Sequence, residues 1–544
     1  MSGSRRGAAA RKRASVRPLL LVALAAGLLL AAPAAADARD VSGGGAERLE
    51  ADAALEGALA LLAPAKGRML FGESVRPDGR ETTLLLRDLA AGLDELSPER
   101  RALAERILAR PTDRTDSIKP YRSKARHVCD ARVCVWWVTK GADAPPLADR
   151  NRNRIPDWVE RTRAVFRKVW ATEVGSYGYR RPLSDLSSKN HGPNGKLDVY
   201  LADVGGRGIY GYCTSDDPRR SRSLTVSSYC VVDDDFSRTQ FRGGAVGRKA
   251  LEVTAAHEFF HAVQFAYDWL EDRWLMEGTA SWIEDEVYPA INDNLQYLRA
   301  SPIGRDLFWL PLDIWEPAHS KPESGFIYGT WIFWRYLDER FGRPVVRDVW
   351  NRARGGTFAV DAVNGALAAR GETFRSVFAG FGAANLSPAT SYVEGALYAS
   401  RPNVGPLPSA TFQLTAATPT VSPAPIPMPH MSNDYYALVP GGLPPTATLA
   451  VEVALPGSGG AANLLVRRTD GSVATVPIPL TAGGIGSVAG IEFGSGAVSS
   501  ATLVLTNAGT RFASCNEDLA PPFFSCGGFS LDDAEYTIRA TATP

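Results

Sequence analysis

The chain has 544 residues, of which 45% are hydrophobic and 22% are charged. This composition supports folded domains with buried cores and excludes a disordered, collagen-like or repeat-built protein. The formal net charge is only +1, which argues against a nucleic-acid-binding protein. The length suffices for about three or four domains of ordinary size.

The first 36 residues have the three parts of a secretory signal peptide. Six basic residues and no acidic residue precede an apolar run at 19–32, and three alanines at 34–36 form a small-residue cleavage site. The run is shorter than the roughly 20 apolar residues that a membrane span requires; an uncleaved anchor is the alternative. We therefore expect a secreted protein without stable membrane insertion after signal removal and without a nucleic-acid partner.

The six cysteines fall into three close pairs along the chain. An exported protein meets an oxidising compartment in which disulfides persist, and short separations favour local bonds. The alternative is that the thiols are free and buried. The predicted disulfides are Cys129–Cys134, Cys213–Cys230 and Cys515–Cys526.

The remaining chain is predicted to contain four parts. Residues 37–112 have leucines at helical spacing and form a helical segment, which is either a prosegment or a cap on the next domain. Residues 113–405 contain few strands followed by many helices, which indicates an α+β domain. Residues 406–430 are proline-rich and read as a stiff linker. Short apolar runs separated by turn residues at 431–544 predict an all-β sandwich, which either binds a surface or substrate or is purely structural.

The segment His257-Glu258-Phe259-Phe260-His261 is an H-E-x-x-H motif. On a helix, positions i and i+4 share one face, so both imidazoles can bind the same metal ion. The flanking residues are mostly apolar, which predicts a buried helix rather than an exposed one with chance histidines. Zn²⁺ prefers such ligands and keeps one position for water in catalytic sites. Glu258 can accept the proton of that water as a general base.

A third protein ligand is expected in the segment that follows. A turn at 271–273 would send a second helix back antiparallel to the first, which would bring Glu277 beside the two histidines. Glu284 lies two helical turns further on the same face. This position suits a carboxylate that accepts an imidazole N–H and fixes its tautomer.

H-E-x-x-H followed by W-L-x-E-G-x-A-x-x-x-E resembles the gluzincin metallopeptidases, especially the active-site core of aminopeptidase N-like enzymes. The wider run from VCVWWVT through GKLDVYLADV to MEGTASWIEDE is similar to a family of secreted bacterial proteins classed as metalloproteases, over about residues 113–345. The resemblance implies a zincin-like fold for residues 113–405. By the gluzincin pattern, the zinc ligands are His257, His261 and Glu277, the general base is Glu258, and the outer glutamate is Glu284.

The resembled enzymes also use a downstream tyrosine or histidine to stabilise the oxyanion. Tyr328, in GFIYGTW, is the candidate, with His319 as the alternative; an ordinary core role for Tyr328 also stays open. The chain departs from the pattern in a slightly shorter spacing between the second histidine and the third ligand, and in Ser281 where thermolysin-type enzymes have aspartate. It also lacks an upstream G-x-M-E-N motif, which favours an endopeptidase over an aminopeptidase.

A second metal site is predicted in the loop before a helix at 155–174. Oxygen side chains there occupy positions 1, 3, 5, 9 and 12 of a calcium-type loop, although arginine stands at position 6 where an EF-hand has glycine. The loop resembles the D-x-N-x-N-x-I-P-D calcium loops of extracellular proteins; a polar turn with a helix cap is the alternative. The candidate ligands are Asp149, Asn151, Asn153, Asp157 and Glu160. A further acidic run at 233–235 is predicted to be a solvated turn.

These features predict a secreted zinc-dependent metallopeptidase, an endopeptidase that hydrolyses peptide bonds through a zinc-bound water activated by Glu258. Its partner would be a protein or peptide substrate, paired along the strand at 224–232 as a sheet edge. Its cofactors would be Zn²⁺ and, in the loop, Ca²⁺. The alternatives are a catalytically inactive zincin-like surface-binding or adhesion protein, an aminopeptidase, and a zinc hydrolase acting on a non-peptide bond.

Overall fold

The computed structural model describes residues 43–62, 82–114, 117, 119–241, 244–314, 325–357, 359–509 and 534–544. The predicted signal peptide, His319 and the predicted pair Cys515–Cys526 lie outside these residues. The described part of the chain is mixed α and β and contains three β-sheets. None of its helices is both long and apolar enough to cross a membrane.

The elements follow one another in chain order from a helical N-terminal part to a strand-rich C-terminal part. The helices are α1 (Gly43–Leu62), α2 (Thr82–Ala91), α3 (Pro98–Ile107), α4 (Asp157–Trp170), α5 (Gly247–Gln264), α6 (Arg273–Val287), α7 (Phe326–Gly329), α8 (Trp331–Phe341), α9 (Pro344–Arg352), α10 (Ala359–Ala368), α11 (Phe374–Asn385), α12 (Pro388–Ser391) and α13 (Gly395–Ala399). The strands are β1 (Arg126–Cys129), β2 (Val133–Trp137), β3 (Leu197–Ala202), β4 (Gly211–Thr214), β5 (Tyr229–Asp233), β6 (Ala410–Leu414), β7 (Thr420–Val421), β8 (Ile426–Met428), β9 (Ser432–Pro440), β10 (Thr448–Ala454), β11 (Gly460–Arg468), β12 (Val473–Pro477), β13 (Ile485–Glu492), β14 (Val498–Asn507) and β15 (Ala534–Thr543).

The first sheet has the strand order β1-β2-β3-β5-β4. Strands β2, β3 and β5 are parallel, whereas β1 and β4 run antiparallel to their neighbours. Every residue of β3 and β5 is buried, as expected of inner parallel strands. The edge strand prediction for 224–232 is therefore wrong. That region supplies the inner strand β5, and the short β4 forms the edge beside it.

The N-terminal helices share the hydrophobic core of the first sheet. Arg110, just after α3, is fully buried and forms ion pairs with Asp185, Asp198 and Asp216 at 2.9, 2.6 and 2.7 Å. Loss of the cationic partner of a buried carboxylate strongly destabilises a protein, because the remaining charge is left uncompensated. Removal of all residues up to 112 would take this guanidinium away from three carboxylates, so the end of the segment is built into the structure that follows it.

The strand-rich part consists of two further sheets. One has the order β13-β10-β15-β7, with β8 also paired to β15, and the other has the order β12-β11-β14-β9-β6. Alternate residues of both sheets, among them Leu438, Val451, Leu503 and Ile538, meet in one hydrophobic cluster. The residues predicted as a linker supply β6, β7 and β8 to these sheets. Their prolines are tolerated because Pro fits edge positions of a sheet.

Two disulfides link neighbouring strands of the first sheet. Cys129–Cys134 joins β1 to β2, and Cys213–Cys230 joins β4 to β5, in each case between directly opposed residues. Both predicted bonds are confirmed. The second one fastens the edge strand β4 to the sheet.

Candidate metal centre

Helices α5 and α6 carry the predicted metal ligands and pack against each other. Every residue from Val253 to Gln264 in α5 is buried, and so is every residue of α6 except Glu286. Helices that are apolar on nearly all sides are buried on all sides. The turn between them reverses the chain, so that Glu277 faces the histidines of α5 as predicted.

The ligand atoms of His257, His261 and Glu277 all lie within 4.8 Å of one another. Oε2 of Glu277 is 3.1 Å from Nε2 of His257 and 3.6 Å from Nε2 of His261. Nε2 of His261 and Oε1 of Glu277 are buried and have no hydrogen-bond partner among the described residues. Buried polar atoms are normally paired, so two unpaired ligand atoms at one buried centre fit a bound metal ion.

The opposite nitrogen of each imidazole is held by a second side chain. Nδ1 of His257 lies 2.7 Å from Oε1 of Glu284, and Nδ1 of His261 lies 2.7 Å from Oε1 of Gln264. Gln264 also donates to the carbonyl of Met276 at 2.9 Å, which ties α5 to α6. These acceptors favour imidazoles protonated at Nδ1, which leaves each Nε2 free to bind a metal.

Gln264 was not predicted from the sequence. It lies three residues after His261, which places both side chains on one helical face, and this spacing was the available signal. Glu284 takes the predicted position beside His257.

The charges at this centre are strongly coupled. Burial would raise the pKa of Glu277, but the two imidazoles lower it to about 2. Burial would lower the pKa of His257, but Glu277 and Glu284 raise it well above its ordinary value. Two carboxylates thus act on one buried imidazole, and the site favours an additional positive charge.

Glu258, the predicted general base, is also buried, with 5% of its surface exposed. Burial raises the pKa of its carboxyl group, while His257, His261 and a hydrogen bond from Thr83 oppose that change. The Thr83 hydroxyl donates to Oε2 of Glu258 at 2.9 Å. Thr83 lies 175 residues away in the chain, so no local pattern in the sequence indicates this contact.

Tyr328, the predicted oxyanion-stabilising residue, lies at the same centre. Its ring centroid is 6.1 Å from that of His257, and its side chain is buried. Tyr297 stacks on it with a centroid distance of 5.1 Å and was not predicted. Ser281, at the position of the thermolysin-type aspartate, is buried one turn after Glu277.

The predicted calcium loop lies at the surface, and three of its five candidate ligands contact one another. The amides of Asn151 and Asn153 donate to the two carboxylate oxygens of Glu160 at 2.9 and 2.7 Å. Asp149 accepts backbone N–H groups of the loop, and Asp157 accepts the N–H of Arg150. Hydrogen bonds therefore join Asn151 and Asn153 to Glu160, but the carboxylates of Asp149, Asp157 and Glu160 do not all lie within 4.8 Å of one another.

The prediction of a solvated turn at 233–235 is wrong. Asp233 is fully buried, and Asp234 is 6% exposed. Their carboxylates lie near that of Asp203, with one ligand atom of each within 4.8 Å of the others. The acidic run begins at the last residue of the buried strand β5, and the burial of that strand extends to Asp234.

Comparison with protein families and with curated proteins gave no match. No protein-family model matches the chain, and no curated protein matches it. The assignment of a function therefore depends on the geometry of the centre formed by α5 and α6.

Proposed function

We propose that the protein is a secreted zinc metallopeptidase with a zincin-like catalytic core of the gluzincin type, acting as an endopeptidase. The observation that carries this proposal is the convergence of His257, His261 and Glu277 within 4.8 Å, with the carboxylate of Glu258 near enough to interact electrostatically with all three. Two imidazoles and one carboxylate form a common donor set for catalytic zinc. The two disulfides agree with an exported protein.

Zinc in this position would supply a Lewis acid that polarises a carbonyl group and lowers the pKa of water. The protein's own residues would do the rest. Glu258 would accept the proton of the attacking water and pass it to the leaving amine. Tyr328 would donate a hydrogen bond from its hydroxyl group to the developing oxyanion. Glu284 and Gln264 would keep both imidazoles in the ligating tautomer.

The edge strand β4 would align the substrate. It packs on α5 so closely that a Cβ added to Gly211 would lie 3.1 Å from Cγ of Glu258. A sheet edge next to a catalytic carboxylate can pair with an extended peptide through main-chain hydrogen bonds. We therefore assign to β4 the substrate-pairing role that was predicted for 224–232.

Two further roles belong to the same proposal. The loop at 149–160 would bind Ca²⁺, because Glu160 presents both carboxylate oxygens to the side chains of Asn151 and Asn153, two of the other candidate ligands. The two C-terminal sheets would form a β-sandwich around their shared cluster, which supports a binding or spacer module.

Metal analysis and casein digestion of the purified protein test the proposal. We expect about one zinc per chain, with cleavage at internal bonds as read from the fragment termini by mass spectrometry. Removal of the metal with 1,10-phenanthroline should stop cleavage, and zinc should restore it. Protein without zinc would contradict the metal assignment. Release of N-terminal residues alone would instead indicate an aminopeptidase.

A further inference from the structure

A second group of buried carboxylates lies where two parallel strands end. Asp203 follows β3, Asp233 ends β5, and Asp234 comes next. One ligand atom of each lies within 4.8 Å of the others. Oxygens that bind one calcium ion at 2.3–2.6 Å are at most about 5 Å apart. The three carboxylates are therefore close enough to share a cation.

Asp234 is the independent sign that a ligand is needed. The residue is 6% exposed, and no described side chain forms a hydrogen bond or ion pair with its carboxylate. Asp233 accepts the backbone N–H groups of Val204, Gly205, Asp235 and Phe236, and Asp203 accepts the amide of Gln240. A largely buried carboxylate without a protein partner has lost part of its hydration, and a bound cation would offset that cost.

The surrounding charge points in the same direction. Burial and four neighbouring carboxylates, those of Asp233, Asp235, Asp203 and Asp143, raise the pKa of Asp234 to about 8. Asp143 is tied to the cluster because it accepts the N–H of Asp203 at 3.2 Å. Five carboxylates at one strand end make a strongly negative site, and Arg122 partly offsets the raised pKa of Asp143.

We propose that Asp203, Asp233 and Asp234 bind a calcium ion. Calcium accepts several carboxylates directly and tolerates irregular geometry, whereas magnesium requires a near-octahedral shell and retains water. The N–H of Asp233 donates to the carbonyl of Tyr210, immediately before β4. The ion would thus fix the start of the edge strand that packs on α5. This site is separate from the loop at 149–160.

Equilibrium dialysis against calcium at about 1 mM, the range in which extracellular calcium modules titrate, tests this site in the full chain. Asp234→Asn should lose one equivalent of bound calcium relative to wild type. Glu160→Gln, which alters only the surface loop, should retain that equivalent. Equal binding by Asp234→Asn and wild type would overturn the proposal. So would an absence of binding in Glu160→Gln, or selective binding of magnesium.

A different observation concerns helix α2, whose first turn lies over Glu258. The Thr83 hydroxyl donates to Glu258 and accepts the backbone N–H of Cys213 in β4 at 3.0 Å. Thr82 and Thr83 are both buried. One side chain therefore engages both the candidate base and an N–H of the strand that would align a peptide.

Helix α2 is fastened to the elements that carry the third ligand. The Arg87 guanidinium donates to the carbonyl of Glu271 at 2.7 Å and contacts the sulfur of Met276 at 3.0 Å. Asp88 forms an ion pair with Arg273 at the start of α6. These contacts are buried and join residues more than 180 positions apart.

We infer that α2 is an autoinhibitory cover, so that this form of the protein is latent. The inference depends on the proposed peptidase function, because a substrate would need both the Glu258 carboxylate and the edge of β4. Displacement of α2 would release both groups at once. The segment predicted as a prosegment would then act through this helix.

The rate at which dipicolinate removes zinc tests the cover without reference to catalysis. Arg87→Met and Thr83→Ala should each release zinc about tenfold faster than wild type, since each loses hydrogen bonds that involve a charged group. Both should also cleave casein faster. Arg101→Met, which changes an exposed arginine of α3, is the control and should match wild type.

The two readouts separate the two hypotheses. Faster zinc release without cleavage would support the cover and contradict the peptidase function. Unchanged zinc release in both variants would overturn the cover, whether or not casein is cleaved. Thr83→Ala removes few atoms and keeps the test decisive if Arg87→Met does not fold.

Discussion

Glu258→Gln is expected to lower casein cleavage by about 10²- to 10⁴-fold, the usual contribution of a general base. The amide has nearly the size of the carboxylate and can still accept the Thr83 hydrogen bond, but it cannot take a proton from water. Zinc content should remain at the wild-type level, because the three candidate ligands are unchanged. Steady-state kinetics and metal analysis of the same preparation check both parts.

The control for this variant lies on the same helix. Glu252→Gln alters a glutamate that pairs with Arg248 at the surface end of α5, and it should leave both cleavage and zinc content unchanged. If Glu258→Gln retained full activity with zinc bound, Glu258 would not be the base. If it lost zinc as well, the carboxylate would have a structural role at the centre.

The part of the site that could be predicted from the sequence is the part with local spacing. His257 and His261 share a face because they are four residues apart, and Glu277 and Glu284 share a face because they are seven apart. One turn then brings the two faces together. Each of these relations is contained within one or two helical turns of a short segment.

Contacts between distant segments could not be predicted in this way. Thr83 reaches Glu258 only because α2 packs on β4. Tyr297 reaches Tyr328 from a separate 3₁₀ helix, Asp293–Ala300. The edge position was predicted for the longer apolar run at 224–232. Strand order depends on pairing between distant segments, which this run alone does not indicate. β4 has only four residues and gives a weak pattern.

Acidic and proline-rich runs were misjudged for a related reason. Composition predicted that Asp234 faces solvent and that residues 406–430 are a linker, but burial depends on which element covers a segment. Strand β6 pairs with β9 at a sheet edge, where proline nearby is not harmful. Removing a carboxylate from water is costly unless it gains a partner, so buried carboxylates are consistent with a site that binds a cation.

Glu277→Ala is expected to abolish zinc binding and, with it, casein cleavage. The carboxylate is the group that contacts Nε2 of both histidines, and alanine leaves only two protein ligands. Three protein ligands are usual for catalytic zinc. Glu284→Gln should have a milder effect, about a 10- to 100-fold loss of zinc affinity, because Glu284 only orients His257.

Zinc titration monitored with a competing chelator separates the two roles of these glutamates. Ser281→Ala, one turn after Glu277 on α6, is the matched control and should bind zinc like wild type, because its hydroxyl has no hydrogen-bond partner among the described residues. A larger loss for Glu284→Gln than for Glu277→Ala would reverse the assignment and make Glu284 the third ligand. A larger loss of zinc affinity for Glu277→Ala than for Glu284→Gln would instead support a centre in which Glu277 binds the metal and Glu284 holds an imidazole.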